Sequence, residues 1–334
     1  MSCNLFLDRL VESKLVNEYC LEFFNGSSIY AANRTIDMSK QFYAGSISKW
    51  ISSLIIAQFM KEGLISINEP VSNYIPTFKN IGNNRITIKH LLTHTSGLDA
   101  DNGANGEFYP QRQAKPISKR TFDYDVVMGS LQFTPGSQWS YSSLGYIVLG
   151  KIISHIGKKD YKTIANDYVL EPLGLSETMY VDSELQLKAN LYIKEFERRL
   201  ISNYMSNDVL DYFLASGGLI TSTNDLRKIA RYFLGLDVSR IPASLVSLFK
   251  TPLVTGVSGY DWNAYHQSIT FGLGTNIGKR QSTGNLTIGQ ESSARSFIYI
   301  DFTYNKYLVG VLPFVGSDNG HNIEKLINTC WLSK

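Results

Sequence analysis

The chain has 334 residues, 43% hydrophobic and 18% charged, with a formal net charge of +3. That is enough apolar material for a large core, as one big domain or two interleaved ones. The small charge and the lack of a basic block speak against nucleic-acid binding, and no stretch reaches the ~18 uncharged apolar residues of a membrane span.

The opening residues, 3 to 17, read as a helix with Leu5, Leu10, Val11 and Leu15 on one side. Asp8, Arg9 and Glu12 interrupt this segment before the apolar core of a secretory signal can form, which reads as a cytoplasmic protein. Cys3, Cys20 and Cys330 are widely spaced and odd in number. They read as buried or incidental thiols, not as a disulfide framework or metal ligands. Tyr19 to Phe24 and Ser28 to Ala32 flank Asn25-Gly26, a hairpin signal.

Residues 46 to 62 read as a helix, with Ile47, Trp50, Ile51, Leu54, Ile55 and Phe59 at helical spacing and Gly63 as its stop. Further helices are predicted over Ile86 to His94, Tyr141 to Ile156 and Thr223 to Leu234. After about residue 265, Ile269 to Gly274, Leu286 to Gly289, Ser296 to Asp301 and Tyr307 to Val311 are rich in β-branched and aromatic residues and read as antiparallel strands. Asn322 to Leu332 reads as a closing amphipathic helix. Strands and helices at both ends bracket a helical middle. The expected class is α/β (α+β), with an antiparallel sheet built from both termini, flanking helices and an inserted all-helical region. The expected organisation is a single domain, 1–334, with a sheet subdomain near 1–65 and 235–334 and a helical subdomain near 66–234.

Ser46-Ile47-Ser48-Lys49 fits S-x-x-K. A serine hydroxyl is a poor nucleophile until a base removes its proton. At i and i+3 on a helix the two side chains share a face, and a lysine desolvated by Trp50 and its neighbours would have a lowered pKa. Ser247-Leu248-Phe249-Lys250 matches the same pattern, but Ser46 follows the small pair Ala44-Gly45 and opens a strongly apolar helix. Tyr141-Ser142-Ser143 follows Pro135-Gly136. A tyrosine beside a lysine can serve as acid or base, although packing is the better reading of one tyrosine among 20. His90 and His94, at i and i+4, could share one helix face as metal ligands, but no third ligand is near in sequence and hydrogen bonding is the simpler role. Phe108, Tyr109, Tyr212, Phe213 and Tyr260 fall in loop-like segments that could line a pocket, with core packing the expected role for most.

Taken in order, several segments resemble the class C β-lactamase, D-alanyl-D-alanine carboxypeptidase and esterase superfamily. They are Ala44 to Lys49, Lys61 to Val71, Ile86 to Leu98, Phe133 to Gly150, Glu171 to Leu175, Ser216 to Ser222 and Phe271 to Gly274. The resemblance spans roughly residues 18 to 330 and implies a β-lactamase/transpeptidase-like fold. It also implies Ser46 as nucleophile, Lys49 and Tyr141 as a shared proton shuttle, and the Ser46 amide as half of an oxyanion hole. Two positions depart from the family pattern. Ser143 stands where asparagine is usual, and Gln290 and Ser292 stand where a Lys-Thr-Gly, His-x-Gly or Trp-Gly motif has its basic or aromatic residue and its glycine. Ser293 would supply the second oxyanion N–H, and Arg295 could clamp a carboxylate or simply face solvent.

The expected function is therefore a serine hydrolase, first an esterase or amidase on a small acyl ester, amide or peptide, with no cofactor and no metal. The alternatives are a D-amino-acid peptidase or penicillin-binding carboxypeptidase, an acyltransferase, and a non-catalytic binding protein on a degenerate hydrolase scaffold.

Overall fold

Alternation of side chains along the C-terminal strands decides the architecture. Ile298 and Ile300 enter one apolar core, while Phe297 and Tyr299 enter a second on the opposite face of the same strand. A strand buried on both faces needs a layer of structure on each side. The computed structural model, which describes residues 3–79, 85–98, 131–181, 210–260, 265–278, 286–292, 295–313 and 329, supplies both layers.

The first elements are α1 (Cys3–Glu12), β1 (Tyr19–Phe24), β2 (Ile29–Arg34), β3 (Phe42–Gly45) and α2 (Ser48–Lys61). There follow α3 (Ile88–Leu92), β4 (Trp139–Ser140), α4 (Ser143–Gly157), α5 (Tyr161–Ala165) and β5 (Met179–Tyr180). Next come α6 (Leu210–Gly217), β6 (Leu219–Thr221), α7 (Thr223–Leu234) and α8 (Val246–Lys250). The C-terminal strands are β7 (Val254–Tyr260), β8 (Tyr265–Phe271), β9 (Asn276–Ile277), β10 (Thr287–Glu291), β11 (Ser296–Asp301) and β12 (Lys306–Val311). The main sheet has nine strands in the order β2-β1-β12-β11-β10-β9-β8-β7-β4. Every pairing is antiparallel except β4 with β7. A second sheet, β3-β6-β5, lies beside it. The mixed fold with a large, mostly antiparallel sheet and flanking helices agrees with the sequence expectation.

Helix α1 covers the outer face through Cys3, Leu7 and Leu10, against Leu21, Phe23, Phe297, Tyr299 and Leu308. The inner face meets the larger core containing Trp50, Ile51, Ile229 and Phe233 of α2 and α7. Glu22 is 2% exposed on that face. It accepts a 2.5 Å hydrogen bond from Tyr307 Oη and pairs with Arg227 at 3.3 Å, so the buried carboxylate ties β1 to β12 and α7.

The details differ from expectation in physically readable ways. Helix α1 ends at Glu12, and Lys14 takes a left-handed φ of 57°. Leu10 is buried as predicted, but Leu5 is exposed and Leu7 buried, so the buried face is shifted from the predicted one, and Leu15 lies beyond the helix. Cys3 is disulfide-bonded, against the reading of three incidental thiols, which holds for the free and buried Cys20. The Asn25-Gly26 hairpin forms, with Asn25 Oδ1 accepting the amides of Ser27 and Ser28 and Gly26 at φ +98°. Helix α3 is shorter than predicted, because a Thr87–His90 capping box starts it and a left-handed His94 lies just past its end. Helix α7 has the predicted bounds and is closed by Gly235 at φ +68°. Strand β8 runs from Tyr265 to Phe271 and β10 from Thr287 to Glu291, each offset from its predicted span. Tyr212 and Phe213 belong to α6 and Tyr260 to β7, so these residues are not in loops; their side chains, Phe108, Tyr109, Ser293, Cys330 and all of the predicted closing helix except Thr329 lie outside the described residues. Among the described residues no helix is long and apolar enough to cross a membrane.

The approach of β4 to β7 positions the segment that follows β4. A Cβ on Gly259 would lie 1.6 Å from Trp139 O. Gly259→Ala is therefore expected to cost at least about 1–3 kcal/mol, read as a lower midpoint in urea denaturation. An unchanged midpoint would mean that the two strands do not pack this closely.

Candidate active site

Strand β3 ends at Gly45, whose φ of +47° turns the chain sharply into α2. A side chain there would meet Ser292 Cβ at 3.2 Å and the Tyr43 ring at 3.3 Å, so small size and left-handed freedom are both needed. Ser46 sits in this turn, half-buried, with α2 beginning at Ser48 rather than at Ser46 as the sequence suggested. The Lys49 amide donates to Ser46 O at 3.1 Å, which keeps residues 46 and 49 one turn apart on the same side.

Lys49 is 1% exposed. Its Nζ donates to Ser46 Oγ at 3.3 Å, to Ser143 Oγ at 3.3 Å and to the Ser216 carbonyl at 2.7 Å. The amine also lies 5.0 Å from the Tyr141 ring centroid and 5.5 Å from that of Tyr146. These two rings, and not Trp50, wall it off; Trp50 packs instead on Phe233, with ring centroids 5.2 Å apart. Two α2 serines hold the end of α6 that presents Ser216. Ser52 Oγ donates to Ala215 O at 2.7 Å, and Ser48 Oγ accepts the Leu219 amide at 2.9 Å while donating to Gly45 O at 2.6 Å.

Tyr141 lies between β4 and α4 and is 7% exposed. The predicted helix start at Tyr141 is displaced to Ser143, because Ser142 is the N-cap and accepts the Gly145 amide. His94 faces Tyr141 with ring centroids 4.4 Å apart and an interplanar angle of 31°. Its Nδ1 accepts the Ser142 amide at 3.1 Å. Burial first, and the nearby Lys49 charge second, hold His94 well below the ordinary histidine pKa. His90 does not join it. His90 Nδ1 accepts the Thr87 amide in the capping box, and its pKa is lowered by burial first and by Lys89 second.

The third motif lies on β10. By strand alternation Gln290 and Ser292 share the face of Ile288, toward the inner core, while Glu291 turns to the outer face and accepts from Tyr299 Oη. Gln290 Nε2 donates to Glu291 O at 2.7 Å. Ser292 Oγ pairs with Ser296 Oγ at 2.7 Å, and Ser296 Oγ donates to Ala44 O at 3.4 Å, so this turn abuts the Gly45–Ser46 corner. Arg295 stands in the turn at φ +63°, and its buried Nε makes no hydrogen bond among the described residues. The structure thus gathers Ser46, Tyr141 and Ser143 around the Lys49 amine, with Ser292 beside the Gly45–Ser46 turn. The other S-x-x-K, at Ser247, is elsewhere: Ser247 Oγ is exposed and donates to Ser244 O. Sequence reasoning missed the Ser216 carbonyl and the place of His94. The only signal for either was membership in the Ser216 to Ser222 and Ile86 to Leu98 segments. Among the described residues no three His, Cys, Asp or Glu side chains group to hold a metal.

Residues 24–312 match the Beta-lactamase family, and the chain belongs to it. The chain is 31% identical over 135 residues to the "Putative penicillin-binding protein PbpX" of Bacillus subtilis (strain 168), a match covering 40% of this chain and 32% of that protein. It is 25% identical over 249 residues to the "Teichoic acid D-alanine hydrolase" of Staphylococcus aureus, covering 67% of this chain and 55% of that one. The chain thus spans at most about half the length of the curated relatives it matches. Among solved structures, "EstCE1, a hydrolase with promiscuous acyltransferase activity" superposes with a TM-score of 0.74 at 16% identity, covering 98% of this chain and 97% of that one. The family is one of serine hydrolases with a shared mixed fold.

The buried histidines set a pH dependence. Both are held below the usual value of about 6.5, so as pH falls through that point the unfolded chain takes up protons that the folded chain refuses. Stability present above about pH 6.5 is then lost toward lower pH, by up to about 1.4 kcal/mol per pH unit for buried His94 and by less for the half-buried, solvent-screened His90. Urea denaturation between about pH 7.5 and pH 5.5 should show this slope, reduced in His94→Asn. Equal slopes in both proteins would mean that His94 titrates normally in the fold.

Proposed function

We propose that the protein is a serine hydrolase that forms a covalent acyl-enzyme on Ser46, acting as an esterase or amidase on a small acyl substrate. One observation carries the reading: a buried amine, Lys49 Nζ, stands 3.3 Å from Ser46 Oγ. With its other contacts on Ser143 and Ser216, that nitrogen is held in place to receive a proton.

In this reading Ser46 Oγ attacks the acyl carbon while its proton passes to Lys49. The oxyanion is held by the Ser46 amide, with the Ser293 amide as the second donor that the family resemblance implies. Collapse breaks the bond to the leaving oxygen or nitrogen, which takes a proton relayed through Tyr141. Water then attacks the acyl carbon, its proton returns through the same groups, and Ser46 is regenerated. Ser143, Gln290 and Ser292 line the substrate side as neutral hydrogen-bonding groups. An alcohol or amine acceptor in place of water would make the same intermediate an acyltransferase, an activity the structural neighbour EstCE1 has as a promiscuous one.

A second reading has its own observation. Arg295 offers a guanidinium whose buried Nε is unpaired among the described residues, a group able to bind a carboxylate such as that of a β-lactam or of a peptide ending in D-alanine. That reading makes the protein a carboxypeptidase or penicillin-binding protein. The disulfide at Cys3 bears on place: disulfides persist in oxidising compartments, which argues against the cytoplasmic expectation.

A fluorophosphonate probe is expected to add to Ser46 by intact mass, with no adduct in Ser46→Ala and labelling slowed about 10²- to 10⁴-fold in Lys49→Met. Adduct formation at another residue, or none with any acyl ester, β-lactam or phosphonate, sinks the acyl-enzyme. A stable adduct with fluorescent penicillin that is lost in Arg295→Gln would select the second reading over the first.

A further inference from the structure

His94 binds the tyrosine segment twice. Its carbonyl accepts the Ser140 amide at 2.9 Å, and its Nδ1 accepts the Ser142 amide at 3.1 Å. These are the two amides that flank Tyr141, so one residue grips the backbone on either side of that phenol. Its imidazole also covers the Tyr141 ring at 4.4 Å and the Tyr146 ring at 5.3 Å. The edges of the imidazole are closed by Trp139 and Phe271 at 5.9 and 5.2 Å. The same two tyrosine rings contact the Lys49 amine from their other surroundings, at 5.0 and 5.5 Å.

The backbone shows that this placement is imposed. His94 has φ +57°, a region that costs a non-glycine residue about 1–2 kcal/mol. Such a conformation persists only where neighbours over-determine it. Here Tyr146 Oη donates to Leu92 O at 3.1 Å and the Thr95 amide to His90 O at 2.9 Å, fixing the chain on either side of the strained residue. A glycine or asparagine would take the angle more easily, yet a histidine occupies it with its ring 2% exposed.

We infer that neutral His94 is a positioning residue that sets Tyr141 and the Ser142–Ser143 helix start against Lys49. An amide N–H can donate only to a lone pair, so Nδ1 is unprotonated and the ring proton sits on Nε2. The titratable groups packed around the imidazole are Lys49 from α2, Tyr141 from the β4–α4 segment and Tyr146 from α4. Among the described residues none is a carboxylate that would favour an imidazolium. A proton on Nδ1 would set two donors against each other and place a second cation beside Lys49. The Ser142 amide would then be released, and the phenol would turn with it.

The inference rests on the hydrolase reading only for its kinetic arm. That arm compares His94→Leu, which keeps bulk but removes the acceptor, with His94→Asn, whose Oδ1 can accept the Ser142 amide and which tolerates the left-handed angle. At saturating fluorophosphonate, His94→Leu is expected to label Ser46 about 10- to 100-fold more slowly. The half-saturating concentration should stay within about threefold, because the loss falls on the reacting state. His94→Asn should recover most of the rate. The inference is overturned if His94→Leu labels within about twofold of the parent, or if the two variants are equally slow while melting like the parent. A spectroscopic arm needs neither activity nor a variant that folds. The ¹⁵N shifts of His94 in the parent protein should report an unprotonated Nδ1 at a pH below about 6.5, where an ordinary histidine is already mostly imidazolium. A protonated Nδ1 at neutral pH, or an imidazolium at that lower pH, overturns it. Failure of the parent to label at all would count against the hydrolase reading, and the spectra would still decide the histidine.

Discussion

The structure is organised around one amine taken out of water. A buried lysine nitrogen loses several kcal/mol of hydration unless its hydrogen-bonding directions are filled, and at Lys49 three separate parts of the chain fill them. The β3–α2 turn brings Ser46, the first turn of α4 brings Ser143, and the end of α6 brings the Ser216 carbonyl. These groups lie 94 and 167 residues away from Lys49 in two of the three cases. The amine is therefore a tertiary anchor as well as a chemical group, since any shift among α2, α4 and α6 strands it.

The surrounding polar atoms make sense as supports for that anchor. Ser48 and Ser52 lie fully buried on the inner side of α2 and use their hydroxyls to hold the α6–β6 corner. Ser52 also pairs with Tyr161 Oη at 2.7 Å, and Tyr161 reaches Tyr180 at 3.3 Å. Burial raises both phenols, Tyr161 to about 12, so they remain neutral hydrogen-bonding struts. On the other side the aromatic walls of His94, Trp139, Tyr141, Tyr146 and Phe271 exclude water from the amine. Low polarity there strengthens each contact Lys49 makes and penalises each one lost.

How much of this was legible in the sequence follows from how each feature is encoded. Helix α7 is legible to the residue because its hydrophobic period stands against polar neighbours and a terminal glycine, and strand β11 because its aromatic and β-branched run, Phe297 to Ile300, is bounded by Ser296 and Asp301. Strand β3 and the small sheet it forms with β6 and β5 were not read. Phe42–Gly45 is buried throughout, and four buried residues show no alternation to find. Strand β7 contains glycines at 256 and 259 that look like loop residues, although Gly259 is needed for the close approach of β4. In the site, Ser46 and Lys49 were visible as a spacing, and Tyr141 and Ser143 through the resemblance. The Ser216 contact was not, because a backbone carbonyl has no side-chain signature. His94 was paired with His90 on one assumed helix, and a left-handed angle just past the helix end separates the two.

The altered third motif bears on what the site can hold. Strand alternation turns Gln290 and Ser292 inward and Glu291 outward, so the inward groups on β10 carry no charge. Gln290 folds its amide onto a neighbouring carbonyl, and Ser292 shares its hydroxyl with Ser296. Both polar groups are thus already satisfied without a ligand. The Lys49 amine at the centre already has its hydrogen bonds committed to protein atoms. An anionic substrate group would therefore have to be met by the one guanidinium in the turn, Arg295, or remain in water at a cost in affinity. A neutral acyl group makes no such demand and needs only the oxyanion amides and the shape of the cleft. This asymmetry is why the esterase or amidase reading stands ahead of the carboxypeptidase reading.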